Sequence, residues 1–243
     1  MLQIVIFNFV EFSSIALRAY CQDALIKTLE TSQNENRVKS FYASRCAAKF
    51  ITHRVSENLR ISKNEEFGFP ILVNESKKEI SDHFISISHT QTTVVASLFK
   101  RPNGIDVEAI SRRAENVIHR ILSTEEKKFY NQFPDLIALN STSVPKSLFY
   151  WVLKESAAKA TGLGMNRGLD VFEIENPLQF PVKIKTPKDT PLPVNNLQCY
   201  PFIVDNFLYS ACVDENELGR GILPGIVRLL DLSGKFEEID GFK

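Results

Sequence analysis

One predicted helix constrains this chain more than any other stretch. Residues 147–161 combine apolar residues at helical spacing with Lys154, Glu155 and Lys159, and glycines follow directly. This spacing predicts an amphipathic helix, and glycine commonly ends one. We therefore expect a helix that packs on the core and sends these three charged side chains into a cleft. A plainer interpretation stays open for Glu155 and Lys159, because i,i+4 ion pairs occur on many exposed helices.

A second stretch supplies two more carboxylates. Residues 104–108 read Gly-Ile-Asp-Val-Glu at the end of an apolar run. Side chains two positions apart in a strand point to the same face, so Asp106 and Glu108 would lie side by side. Together with Glu155 they predict a site of hard oxygen ligands, at which a divalent cation holds a phosphate ester.

Composition narrows the class of protein. The chain has 243 residues, and its 29 basic and 29 acidic residues cancel, so we expect neither nucleic acid nor a membrane surface as a partner. The four cysteines lack metal-ligand spacing, and the apolar run 2–10 is too short to span a bilayer. We predict a cytoplasmic protein with reduced, buried thiols and a first β-strand at residues 2–10.

A basic pair marks the N-terminal half. Residues 37–55 have a helical pattern in which Arg45 and Lys49 share one face. Such a pair is either a solvated basic stripe or an anion site. Residues 58–74, which follow, are predicted to be irregular.

The next residues predict a β-hairpin over 84–90 and 93–99, with Ser88 and His89 at the end of its first strand. His89 is either a structural turn residue or a hydrogen-bond donor to a phosphate. The other expected elements are a helix over 111–122, a capping box at Ser123–Glu126, a mobile loop over 131–146, strands at 171–174, 181–185, 198–201 and 207–213, and a C-terminal tail.

A short repeat suggests the domain organisation. Ala-Ala-Lys occurs at 47–49 and at 157–159, each time on a predicted helix that strand pairs follow. We therefore predict an α+β fold of two pseudo-symmetric halves, each a small antiparallel sheet packed on a long helix, with the active site at their interface. The predicted divisions are 1–103, 104–218 and a tail over 219–243. A chain that builds its cleft internally has no need to dimerise, so we expect a monomer.

Four stretches together resemble the 4'-phosphopantetheinyl transferase superfamily, in its larger single-chain type that includes the enterobactin-synthase transferases. They are Ser44–Lys49, Ile87–Thr90, Gly104–Glu108 and Trp151–Ala160, in the family's order. The two acidic motifs together are far more specific than either alone. The resemblance implies that the phosphopantetheine arm of coenzyme A is transferred to a serine of an acyl, polyketide or peptidyl carrier protein, releasing adenosine 3',5'-bisphosphate.

The resemblance also implies roles for individual residues. Mg²⁺ would be held by Asp106, Glu108 and Glu155, and catalysis would use Glu155 and Lys159. The serine proton would pass to Glu155 or to a water on the metal. Contacts to coenzyme A would come from Arg45, Lys49, Ser88, His89, Lys154 and Lys159. The acidic carrier protein would dock near Arg112, Arg113 and Arg120.

One position departs from the family's pattern. The family usually has a basic residue just before the proline that precedes the histidine strand, whereas Phe69 precedes Pro70 here. Lys77 or Lys78 could supply that charge. Phe69 leaves open a second hypothesis, a non-catalytic homologue that binds coenzyme A or a carrier protein. A third is an unrelated metal-dependent phosphotransferase.

Overall fold

The computed structural model of this chain describes residues 2–21, 34–112, 114–164, 168–194, 196–214 and 225–239. These residues form two compact units. Unit 1 contains the described residues up to Lys100 together with 225–239, and unit 2 contains those from Arg101 to Asp214. The prediction of a mixed α+β fold is confirmed. That the two halves are pseudo-symmetric and share a site stays a prediction.

The helices are α1 (Ser14–Cys21), α2 (Glu35–His53), α3 (Glu115–Ile121), α4 (Thr124–Phe129) and α5 (Lys146–Ala160), with a 3-10 turn at Tyr130–Gln132. The strands are β1 (Gln3–Asn8), β2 (Arg60–Lys63), β3 (Pro70–Val73), β4 (Phe84–His89), β5 (Thr93–Phe99), β6 (Asn103–Ala109), β7 (Leu136–Leu139), β8 (Thr142–Pro145), β9 (Glu173–Ile174), β10 (Val182–Lys185), β11 (Asn196–Val204), β12 (Phe207–Asp214), β13 (Gly225–Leu229) and β14 (Phe236–Ile239).

Unit 1 is built on a five-stranded sheet in the order β14-β13-β1-β5-β4, with α2 packed against β1 and β5. Strand β1 pairs antiparallel with β5 but parallel with β13. The prediction of a purely antiparallel sheet is therefore wrong for this unit. Helix α2 begins where the Asn34 side chain accepts a hydrogen bond from the Arg37 amide, which satisfies one of the free donors of its first turn.

The predicted C-terminal tail is corrected by the same sheet. Its described part, 225–239, forms β13 and β14, and Ile226 and Leu229 are buried. The strand that β13 pairs with lies at the other end of the chain, with Gln3 opposite Gly225. A local pattern cannot reveal a pairing between segments so far apart in sequence.

Two segments predicted to lack regular structure are hairpins. Within 58–74, β2 pairs with β3, and the predicted mobile loop 131–146 contains the paired strands β7 and β8. Each strand has four residues and is partly exposed, so none shows a clear alternation of apolar residues. Asn140 turns the second hairpin with a positive φ of 53°.

Unit 2 is an antiparallel sheet in the order β6-β12-β11-β10-β9, with α5 packed on β6 and β12. A Cβ atom at Gly104 would collide with the backbone carbonyl of Ser156 in α5. Glycine at this position therefore lets β6 lie directly against the helix, which brings the carboxylates of β6 beside the charged residues of α5.

The predicted capping box is confirmed: the Ser123 hydroxyl accepts from the Glu126 amide at 3.1 Å, and Glu126 Oε2 accepts from the Ser123 amide at 2.6 Å. All four cysteines are free and buried. In the part of the chain that the structure describes, no helix has both the length and the apolar character needed to cross a membrane.

Candidate active site

Strand β6 and helix α5 bring three of the predicted residues together. Lys159 Nζ donates to Asp106 Oδ1 at 2.6 Å and lies 3.8 Å from Glu155 Oε2. Asp106 is buried, whereas the Lys159 and Glu155 side chains are partly exposed. The i,i+4 spacing of Glu155 and Lys159 thus does more than pair two surface charges, because a buried carboxylate from a different element completes the cluster.

This cluster changes the acidity of Glu155. Burial raises the pKa of the Glu155 carboxyl, and the negative charge of Asp106 raises it further, to about 7. Lys159 and Arg112 act in the opposite direction. Two carboxylates in a partly buried site disfavour each other's ionisation, so a cation placed between them would be bound well.

Glu108 lies on the same strand but has different partners. The Trp151 indole donates from Nε1 to Glu108 Oε1 at 3.2 Å, and the Arg112 guanidinium forms an ion pair with the same oxygen. Arg112 also lies over the Trp151 ring, 4.6 Å from its centroid. The sequence reasoning missed Trp151, although its spacing of four residues from Glu155 places both on one face of α5.

The proposed metal ligands can be tested against this geometry. Among the described residues, no three histidine, cysteine, aspartate or glutamate side chains stand together as a metal site. Asp106 and Glu108 instead face Lys159 and Arg112. The donor set still fits Mg²⁺ chemically, because all three groups are carboxylates. Burial and the charge of Asp106 raise the pKa of Glu155 even though Lys159 and Arg112 oppose the shift.

Lys154 has a different role from the predicted one. Its side chain is fully buried, and burial lowers the pKa of its ammonium. Its Nζ lies within hydrogen-bonding distance of four oxygens: Glu126 Oε2 at 2.5 Å and the carbonyls of Ile121, Phe172 and Leu169 at 2.7, 2.6 and 3.3 Å. The prediction that Lys154 contacts coenzyme A is corrected, because its hydrogen bonds are already made inside the protein.

Glu126 is the partner that the sequence reasoning did not find. Besides its capping bond, it accepts from the Ile174 amide at 2.8 Å through Oε1. It therefore joins α4, α5 and β9. The capping box indicated only a local role, and no sequence signal connects Glu126 with Lys154.

The basic pair of unit 1 lies on α2, as predicted. The Arg45 guanidinium lies 3.8 Å from the centroid of the Phe41 ring, and burial lowers its pKa. Lys49 Nζ donates to the Tyr20 carbonyl at 2.7 Å and so ties α2 to α1. Neither residue is part of a fully solvated stripe, since both are half-buried.

Ser88 and His89 end β4 as predicted. Ser88 is buried, while His89 is exposed and its Nδ1 lies 3.3 Å from the Thr90 carbonyl. Their contact with coenzyme A, like that of Arg45 and Lys49, stays a prediction.

The three arginines that were predicted to dock the carrier protein do not share one environment. Arg112 is engaged with Glu108, as described above, and Arg120 is exposed on α3. Arg113 lies outside the described residues.

Comparisons with known proteins agree with the motifs. Residues 102–195 match the sequence model of the 4'-phosphopantetheinyl transferase superfamily. Over 162 residues the chain is 29% identical to the 4'-phosphopantetheinyl transferase gsp of Aneurinibacillus migulanus, covering 65% of this chain and 59% of that protein. Over 124 residues it is 26% identical to the 4'-phosphopantetheinyl transferase Sfp of Bacillus subtilis (strain 168), covering 51% of this chain and 50% of that protein.

The match thus spans only about half of each relative's length, but its location is informative. The family segment contains β6 and α5, and with them Asp106, Glu108, Glu155 and Lys159. The resemblance predicted from the motifs is confirmed for this segment, since residues 102–195 match the 4'-phosphopantetheinyl transferase superfamily.

Proposed function

We propose that this protein transfers the 4'-phosphopantetheine arm of coenzyme A to a serine of an acyl, polyketide or peptidyl carrier protein, with Mg²⁺, and releases adenosine 3',5'-bisphosphate. The observation that carries the proposal is the cluster of Asp106, Glu155 and Lys159 within the family segment. Both relatives are named as 4'-phosphopantetheinyl transferases.

The chemistry requires positive charge beside the phosphate under attack. Lys159 is suited to this because its ammonium is partly exposed and is held in place by two carboxylates. It would stabilise the charge that develops on the departing bisphosphate. Glu155, next to Lys159, is the proposed acceptor of the serine proton. The serine itself comes from the carrier protein, so no serine of this chain needs activation.

Mg²⁺ would be held by Asp106, Glu108 and Glu155. When bound, it would offset the charge of the pyrophosphate and polarise the phosphorus. Positive charge for the adenosine end and its 3'-phosphate is proposed from Arg45 and Lys49, and further hydrogen bonds from Ser88 and His89. The acidic carrier protein is proposed to dock near Arg112, Arg113 and Arg120.

The test is a transfer assay that follows the mass of the intact carrier protein. Purified protein is incubated with coenzyme A, Mg²⁺ and a panel of unmodified carriers. We expect one carrier to gain a single phosphopantetheine, and we expect a chelator, Glu155→Gln and Lys159→Met each to suppress the gain.

A matched control is Lys185→Met. Lys185 also pairs with a glutamate at 2.6 Å in unit 2, but it is exposed and lies outside the proposed site. This variant should retain full transfer. Equal loss in Lys159→Met and Lys185→Met would contradict the assigned role of Lys159.

A second function is favoured by one observation, the replacement of the family's usual basic residue by Phe69. In the structure Phe69 stacks on Phe67, with ring centroids 6.4 Å apart. A non-catalytic homologue would bind coenzyme A without modifying any carrier. Calorimetry with coenzyme A alone, beside the transfer assay, separates this function from the transferase.

A further inference from the structure

Three side chains next to the acidic cluster form a closed set of contacts. Arg112 pairs with Glu108, Trp151 donates to Glu108, and Arg112 lies over the Trp151 ring. Glu108 is therefore engaged by two donors on the same carboxylate oxygen. The Arg112 guanidinium offsets the charge of this carboxylate.

We propose that Arg112 is a latch that competes with the divalent cation for Glu108. The inference rests on the metal site of the proposed function. A cation that binds Glu108 through Oε1 displaces the guanidinium from that oxygen, and the displaced Arg112 then leaves the face of Trp151. Arg112 thereby sets the affinity of the site for its metal.

The charge of Arg112 supports the proposal that it competes with a metal ion for the carboxylates. The charge of Arg112 acts on Glu155 as well as on Glu108, so it reaches two of the three proposed ligands. A positive side chain at this distance lowers the affinity for a second cation, both by repulsion and by occupying the carboxylate.

The position of Arg112 allows it to move. Its side chain is 38% exposed, whereas that of Glu108 is 15% exposed. Its backbone amide donates to the Ala109 carbonyl at 2.8 Å in the turn that follows β6, so the side chain can swing out while the backbone keeps its bond. Lys159 differs, because it contacts two carboxylates rather than one.

The direct test measures metal affinity without any transfer reaction. Mn²⁺, as a spectroscopic probe for Mg²⁺, is titrated into wild type, Arg112→Gln, Arg112→Lys and Arg120→Gln, and free Mn²⁺ is followed by electron paramagnetic resonance. Arg120→Gln removes the same charge from an exposed position and is the matched control. We expect Arg112→Gln to bind Mn²⁺ about tenfold more tightly than wild type.

The other variants sharpen this result. Arg112→Lys should lie between wild type and Arg112→Gln, because lysine keeps the charge but loses the planar fork. Arg120→Gln should bind like wild type. Equal or weaker binding by Arg112→Gln overturns the latch, and so does an equal gain in Arg120→Gln.

Trp151 provides a second readout because it is the chain's single tryptophan. Saturation of wild type with Mg²⁺ should shift its emission toward that of metal-free Arg112→Gln, since both states lack the cation over the indole. Unchanged emission at Mg²⁺ concentrations that displace Mn²⁺ would overturn the proposed movement.

These outcomes distinguish failure of the Arg112 proposal from failure of the proposed transferase function. If every variant binds Mn²⁺ with the same affinity and the carrier is still modified, the latch fails and the transferase stands. If no variant binds Mn²⁺ and no carrier is modified, both the proposed metal site and the proposed role of Arg112 are contradicted.

Discussion

Two lysines of helix α5, Lys154 and Lys159, look alike in sequence but have different environments in the fold. Lys154 pairs with Glu126 at 2.5 Å and Lys159 with Asp106 at 2.6 Å. The side chain of Lys154 is 0% exposed, while that of Lys159 is 25% exposed. The two ion pairs therefore have similar length but very different access to a ligand.

The two lysines differ in the groups that accept hydrogen bonds from each ammonium. The partners of Lys154 include three backbone carbonyls, which cannot leave without opening the fold. The partners of Lys159 include two carboxylates, the buried Asp106 and the partly exposed Glu155. A buried charge whose hydrogen bonds are all made by the protein stabilises structure, whereas a partly solvated charge among carboxylates can be given to a substrate phosphate.

The largest effect is expected from Lys154→Ala. Removing the ammonium leaves the charge of Glu126 buried and unpaired, so the free energy of unfolding should fall by about 3–5 kcal/mol in urea titrations followed by circular dichroism. The double variant Lys154→Met with Glu126→Gln should recover most of the loss, because it leaves no buried charge. A loss no larger than that of Lys185→Ala, at an exposed pair, would contradict the structural role.

Gly104→Ala should come next, since it pushes β6 away from α5. The added methyl meets the backbone of Ser156 and Ala160, which cannot give way as a side chain would. We expect a loss of about 3 kcal/mol in the free energy of unfolding. The control is Gly164→Ala, where no atom lies within 4 Å of the new Cβ and only the positive φ of 57° is strained, at about 1 kcal/mol. Equal losses would show that the close contact is unimportant.

Glu155→Gln should change how the free energy of unfolding depends on pH. In metal-free buffer, the raised pKa means that the folded state holds the proton of Glu155 more tightly than the unfolded state does. This contribution to stability is fully present below the ordinary pKa of 4.5 and is lost as pH rises through about 7. The wild type should therefore lose about 2 kcal/mol relative to Glu155→Gln between pH 5 and pH 8. Parallel stability profiles would contradict the raised pKa.

The smallest effect on stability is expected from Lys159→Met. Water reaches part of the cluster, so the free energy of unfolding should fall by only about 1–2 kcal/mol, measured in the same urea titrations. The transfer rate should nevertheless drop by about 100-fold. A stability loss as large as that of Lys154→Ala, with transfer retained, would show that Lys159 has a structural role and would contradict its proposed catalytic role.

Much of the candidate site could be predicted because its signals are local. The alternation of side chains in β6 placed Asp106 and Glu108 on one face of the strand. Helical spacing placed Glu155 and Lys159 on one face of α5. The partners of these residues were less accessible to prediction. Arg112 was predicted to steer the carrier protein, but the structure engages it with Glu108 and Trp151.

The sequence by itself determined the elements whose hydrogen bonds and apolar faces arise within a few residues: α5, β6, the β4–β5 hairpin and the capping box at Ser123. Only the tertiary structure decided which charges are buried. Lys154 and Lys159 belong to one helical pattern, but segments distant in sequence close over Lys154 and leave Lys159 accessible. The environment of a charge depends on everything packed around it, and that packing is not written in the spacing of residues along one helix.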